Sequence, residues 1–262
     1  MDVSHAALVI LTTPDPAAKV RAARAAARDW RMGRLALGFT AEMPDRPARP
    51  AKPELLPPNR MPKRGRMGSD ASRIAMIHAL AHIEFVAIDL AFDLLGRFGA
   101  HFPRGFVDDW MRVGAEEAMH FALLDRRLRA LGSCYGALPA HDGLWQAAEE
   151  TAHDPLGRLA VVPMVLEARG LDITPATIER FQNVGDIASA RILTRILADE
   201  ERHVAAGTRW FRYACESAGF DAVSTWHSLI ARHFRGVLKP PFNDSARQRA
   251  GLTRDFYMVG CH

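Results

Sequence analysis

Cysteine is scarce in this chain: Cys134, Cys215 and Cys261 are the three in 262 residues, far apart and with no CxxC pair. That argues against a disulfide framework or a cysteine zinc site and fits a reducing compartment, with the cytoplasm as the default location. No run reads as approaching the ~18 apolar residues that a membrane span requires, so no membrane partner is expected. The apolar "AALVIL" near the start lacks a basic leader and runs into "TTPDP", which does not suit a signal peptide. Strand-like alternation is almost absent as well, and this points to an all-α protein. Lysine is rare beside arginine, 4 against 30.

What is present is the composition of a globular protein, with 48% hydrophobic and 24% charged residues over a length that can bury a substantial core. The net charge of +4 is uneven. Residues 1–73 carry 14 basic and 7 acidic side chains, whereas the remainder carries 20 basic and 23 acidic. A basic N-terminal part can meet nucleic acid or an anionic surface. The simpler expectation is a Pro/Arg-rich arm lying across an acidic body.

Residues 15–37 suit a helix, with Asp15 or Thr13 near its start and Gly38 after its end. Residues 41–68 hold so many prolines that regular helix is excluded, leaving an extended segment that is either an ordered strap or a linker. From Ser69 the pattern is helical. One segment runs to Gly99, a second follows Pro103 and ends at Gly132, and a third lies between about Gly143 and Gly170, broken by Pro155, Gly157 and Pro163. A short helix is predicted to begin at Pro175, a long one from about Asp186 to Gly219, and a last one over 221–236. The arrangement predicts a four-helix bundle over 70–219, preceded by an arm (1–69) and followed by a helical extension (220–262).

Several charged residues occupy core positions of these helices. The first bundle helix repeats Ile74, Ile77, Ala81, Glu84, Ile88, Ala91, Leu95 at 3–4 spacing. The second gives Phe106, Trp110, Val113, Glu117, His120, Leu124, and the fourth Leu193, Ile196, Glu200, His203, Gly207, Trp210, Ala214. Residues so spaced share the face turned to the interior. A buried carboxylate without a partner costs several kcal/mol, so these groups call for each other and for a cation.

Glu-x-x-His places a carboxylate and an imidazole side by side on one helix face, within reach of a single metal ion. The chain offers it at Glu117/His120 and at Glu200/His203, with Glu84 and Glu167 supplying one carboxylate from each remaining helix. The offsets agree: Glu84 to Glu167, Glu117 to Glu200 and His120 to His203 are each 83 residues. Two helix pairs, each contributing Glu and then Glu-x-x-His, would set two metals about a pseudo-twofold axis. By composition about 0.5 Glu-x-x-His matches are expected by chance, so one alone would mean little. The third match, Glu150/His153, breaks the 83-residue offset and sits about 21 Å along a helix from Glu167, so it reads as a cap or an interhelical contact. His78 and His82 face away from Glu84 and read as structural. Glu116 suits a surface ion pair, and Glu201 and Arg202 are expected to face elsewhere. Asp199 is a candidate to hydrogen-bond a ligand histidine of a neighbouring helix. Pro163, four residues before Glu167, should kink the third helix.

The stretches "PARPAKPELLPP", "HALAHIEFVAIDLAFD", "EEAMHFALLDRRL", "AHDGLW", "TAHDPLGRLAVVPMVLEARGLD", "DEERHVAAGTRWF" and "PPFNDSARQRAG" closely resemble a bacterial branch of the ferritin-like superfamily known as domain of unknown function 455. The resemblance spans nearly the whole chain, and Met119 departs from it where a basic residue is expected. It implies a ferritin-like fold with a dimetal centre and no known reaction.

A set of glutamates and histidines suits iron or manganese better than a thiolate-preferring metal, so two irons, or a manganese–iron pair, are the expected cofactors. The expected activity is that of an O2-dependent oxidase or hydroxylase with an electron donor and an unknown small-molecule or tRNA substrate. Ferroxidase or peroxide-scavenging iron handling, and a metal-stabilised binding protein, are the alternatives. The long segments on either side of the bundle favour a monomer or dimer over a hollow cage.

Overall fold

Helices account for all the regular secondary structure among the described residues, which are 1–62 and 68–258 of a computed structural model. Two isolated bridges, Asp2 with Ala36 and Leu55 with Ala140, are the nearest approach to a sheet. The chain divides into two units. One comprises Met1–Gln146 with Arg180–Ile192, the other Ala147–Glu179 with Leu193–His262.

In the first unit α1 (Val3–Leu11), α2 (Pro16–Arg31), α3 (Asp70–Phe98) and α4 (Arg104–Ala130) pack together. α1 has no counterpart among the helices expected from the sequence, although Val3, Ala6, Ala7, Ile10 and Leu11 are all buried at helical spacing. α2 begins where expected: Asp15 accepts from the Ala18 N–H at 2.7 Å, and Pro16 occupies the first turn, where its missing N–H costs nothing. α3 opens on a reciprocal cap between Ser69 and Ser72. α3 and α4 approach closely at Gly114, where a Cβ would lie 2.5 Å from the Phe92 ring. α4 ends at Gly132, in the left-handed region at φ +78°.

α3 is more apolar than the expected absence of a membrane-length run allows. Within Asp70–His101 an 18-residue window reaches a mean hydropathy of 1.7, enough by length and composition to cross a membrane. Two thirds of that window (67%) is buried, as in the core helix of a folded unit, which explains its apolarity without a bilayer.

The proline-rich segment, as far as Pro62, is a strap on the first unit; Lys63–Met67 lie outside the described residues. Its backbone is tied at several points. Ala48 donates to the Leu11 carbonyl at 2.7 Å, Leu56 donates to that of Ala140 at 2.8 Å, and Arg97 donates to that of Pro44 at 2.8 Å. Met43 fills the notch left by Gly96 on α3. Beneath the strap, Asp89 of α3 is fully buried between Lys19 of α2, whose ammonium donates to it, and Arg49 of the strap at 3.0 Å. Burial pushes the Asp89 carboxyl above its ordinary range, and Arg49 and Lys19 oppose it. Both cations also lie over the Phe85 ring, at 5.3 and 5.4 Å. Arg46 pairs with Asp142. Part of the N-terminal basicity is therefore internal ion pairing.

His78 and His82 are structural, as expected. Nε2 of His78 accepts the Gly136 N–H at 2.9 Å, so the ring is neutral with its proton on Nδ1, and burial lowers its pKa. His82 lies between the Tyr135 hydroxyl at 2.9 Å and the His141 carbonyl at 3.2 Å, and burial followed by the Arg49 charge pushes its pKa down to about 3.

α5 (Gly143–Glu150) leads to α6 (Pro155–Val161), a π-helical turn (Val162–Glu167), α7 (Ala168–Asn183) and α8 (Ile187–Ala218). The predicted helix start at Pro175 is not observed, because Pro175 lies inside a continuous α7. Proline there has no N–H for the Leu171 carbonyl one turn back. In the second unit that carbonyl instead accepts from Asn243 Nδ2 at 3.1 Å, which removes the reason to end the helix.

Next to it, Asp172 receives a bidentate pair from buried Arg247, at 2.8 and 2.7 Å, and the Asn243 N–H at 2.9 Å. The Arg247 guanidinium lies over the rings of Phe242 and Tyr257. "PPFNDSARQRAG" is thus a clamp on α7. It is followed by α11 (Arg254–Tyr257), which packs on α9 (Ala222–His233), and it carries α10 (Asp244–Arg249) itself. Replacing Asp172 by Ala strands a buried guanidinium, and urea denaturation should show a loss of about 3–5 kcal/mol. A change below about 0.5 kcal/mol would mean that the clamp contributes no stability.

Candidate metal centre

The first unit brings together one half of the residues expected to bind metal. Glu84 on α3 and Glu117 and His120 on α4 continue the apolar 3–4 repeats of their helices and are buried. Nδ1 of His120 lies 3.2 Å from Glu84 Oε2 and 3.3 Å from Glu117 Oε2. A single ring nitrogen cannot aim one N–H well at two oxygens. The three atoms do have the spacing of donors around a cation. Donors about 2.1 Å from an ion and at right angles to each other stand about 3 Å apart.

The second unit holds the corresponding residues on α8 and the π-helical turn. Glu200 and His203 are buried, with His203 Nδ1 3.6 Å from Glu200 Oε1. Glu167 is the last residue of the π-helical turn and is half-buried. Pro163 disturbs the helix as expected, and it does so through this π-helical turn, a local widening common at functional sites. The turn packs on α8 at Gly207, where a Cβ would fall 2.3 Å from Pro163 Cβ. The sequence did place Gly207 on the interior face of α8, but it held no sign that proline would be its neighbour.

Within the first unit, the buried Glu84, Glu117 and His120 form a set that could hold a metal ion. The donors are carboxylate oxygens and imidazole nitrogens, a chemistry that suits first-row ions such as manganese and iron. Burial gives the carboxylates a strong electrostatic reason to take up a cation.

The other candidates separate clearly. Asp199 is buried and accepts from Arg195 at 2.7 Å and from Arg202, both on its own helix. Glu201 takes a bidentate pair from Arg249, at 2.7 and 2.6 Å. In "DEERH", therefore, Asp199, Glu200 and His203 are buried while Glu201 and Arg202 face outward. Glu150 ends α5 and pairs with Arg235 at 3.1 Å, and His153 lies beyond that helix and is exposed. The third Glu-x-x-His match is consequently not on a helix face.

These features define a class: an all-α protein with a buried glutamate and histidine cluster able to hold a metal. The family follows from comparison. The chain belongs to the family described as "Protein of unknown function (DUF455)", whose profile matches residues 12–258. It is similar to an "Uncharacterized protein" of Haemophilus influenzae, 41% identical over 211 residues that cover 78% of this chain and 73% of that one. No solved structure matches it.

Replacing Gly207 by Val forces a branched side chain into the space of Pro163. Chemical denaturation should register a loss of about 1–3 kcal/mol, the range for overpacking. Unchanged stability would show that the contact between α8 and the π-helical turn is loose.

Proposed function

We propose that the chain is a ferritin-like dimetal-carboxylate protein acting as an O2-dependent oxidase or hydroxylase on an organic substrate. Glu84, Glu117 and His120 would hold one metal, and Glu167, Glu200 and His203 would hold the other. Iron in both positions, or manganese in one of them, would suit these oxygen and nitrogen donors.

The observation that carries this reading is the buried convergence of His120 Nδ1 with the Glu84 and Glu117 carboxylates. It gains support from the Glu200/His203 pair, which repeats the Glu117/His120 pattern 83 residues later. Charge balance supports it too: four glutamates and two neutral imidazoles match two divalent cations. Redox-active metals in such a pair supply electrons and open coordination positions for reducing O2.

The residues of the chain then have definable tasks. The carboxylates neutralise and orient the ions. The apolar neighbours Ile77, Ala81, Ile88 and Ala91 on α3, with Val113 and Leu124 on α4, keep bulk water from the first half. The π-helical turn sets Glu167 at the end of a locally widened helix, a feature common at functional sites.

Anaerobic loading with ferrous iron, followed by metal analysis, tests the reading. Two irons per chain are expected, with a rise in melting temperature equivalent to about 2.7 kcal/mol for each site at a hundredfold excess over its Kd. The Glu117→Ala/Glu200→Ala double variant should lose both the iron and the rise. Failure to bind metal, with no loss of stability in the double variant, would overturn it. A large hollow oligomer in gel filtration would move the function to iron handling.

A further inference from the structure

We propose that the first unit carries a separate binding site for a nucleotide-sized phosphorylated ring compound, in the groove between α2, the strap and α4. The cavity there has a volume of about 830 Å³, within the range that encloses small organic ligands. Three elements each place a cation at it: Arg21 from α2, Lys52 from the strap and Arg126 from α4. All three are exposed, and none has an ion-pair partner among the described residues.

The carboxylates at the cavity are already engaged. Asp15 caps α2 through the Ala18 N–H, and Asp125 pairs with Arg129 at 3.0 Å. The strap's cations Arg46 and Arg49 find aspartates, whereas Lys52 joins Arg21 and Arg126 at one cavity. The helix cap leaves the charge of Asp15 in place, so the set keeps an excess of two positive charges, which a phosphate monoester would match. Guanidinium groups bind phosphate with paired hydrogen bonds.

The rest of the lining is mainly apolar and includes an aromatic wall. Phe121 and Tyr135 meet edge to face at 5.0 Å, with Val20, Pro50 and Ala51 around them. A ring body suits this wall, and a phosphate suits the cationic rim. Together they specify nucleotide chemistry, either as a free mononucleotide or as one residue of an RNA strand. The site lies wholly in the first unit and uses none of the proposed metal ligands, so the fate of the metal reading does not decide it.

Cys134 lines the same cavity and is exposed, which provides a direct readout; Cys215 is buried, and Cys261 lies outside the described residues. In full-length protein carrying Cys261→Ser, alkylation of Cys134 by iodoacetamide is timed with AMP or with a 5′-phosphorylated oligoadenylate. Near saturation the rate should fall about tenfold, and the protection should be lost in the Arg21→Ala/Arg126→Ala variant, whose substitutions are both at exposed positions. Protection by AMP at lower concentration than the oligomer assigns a free nucleotide, and the reverse order assigns a strand. No protection by either at about 5 mM, or equal protection in the double-arginine variant, overturns the proposal.

Discussion

Carboxylates on the interior faces of helices constrain this protein more than any other feature. Glu84, Glu117 and Glu200 stand where their helices would otherwise place apolar side chains, and burying a charge is tolerated only when something positive or hydrogen-bonding meets it. The first unit answers that demand twice. At Asp89 the answer is internal, from Lys19 and Arg49. At Glu84 and Glu117 both carboxylates reach one histidine nitrogen, at 3.2 and 3.3 Å, a spacing that could also hold a metal ion.

The same contrast explains why the strap matters. A proline-rich chain makes few regular hydrogen bonds of its own, so its order must come from what it touches. Here it is held by backbone hydrogen bonds to the unit beneath it, by Met43 in the notch of Gly96, and by Arg49 reaching the buried Asp89. The C-terminal clamp uses similar means in the second unit, with Arg247 on Asp172 and Asn243 on the carbonyl that Pro175 leaves free. Proline twice creates a vacancy or a break, and a polar side chain or a π-helical turn resolves it.

Local pattern made much of this legible. The limits of α3, α4 and α8 lie within a residue or two of the predicted ones because caps, glycine stops and 3–4 repeats are short-range signals. Burial of Glu84, Glu117, His120, Glu200 and His203 was legible for the same reason, and so was the outward turn of Glu201. What escaped depends on distant partners. α1 shows in the sequence only as an apolar stretch near the start. Continuity through Pro175 depends on Asn243, 68 positions later. The strap could not be told from a linker, because its anchors belong to α1, α3 and residue 140. The close packing of Gly207 on Pro163 likewise joins residues 44 apart.

Whether the buried glutamates and histidines hold two coupled redox-active metals is tested most directly by Mössbauer spectroscopy. The protein is loaded anaerobically with ferrous iron and measured before and after exposure to O2. Two high-spin ferrous sites with oxygen and nitrogen ligands are expected, converting together to a magnetically coupled diferric pair. A single uncoupled ferric site, or iron that stays outside the protein, would contradict the proposed centre.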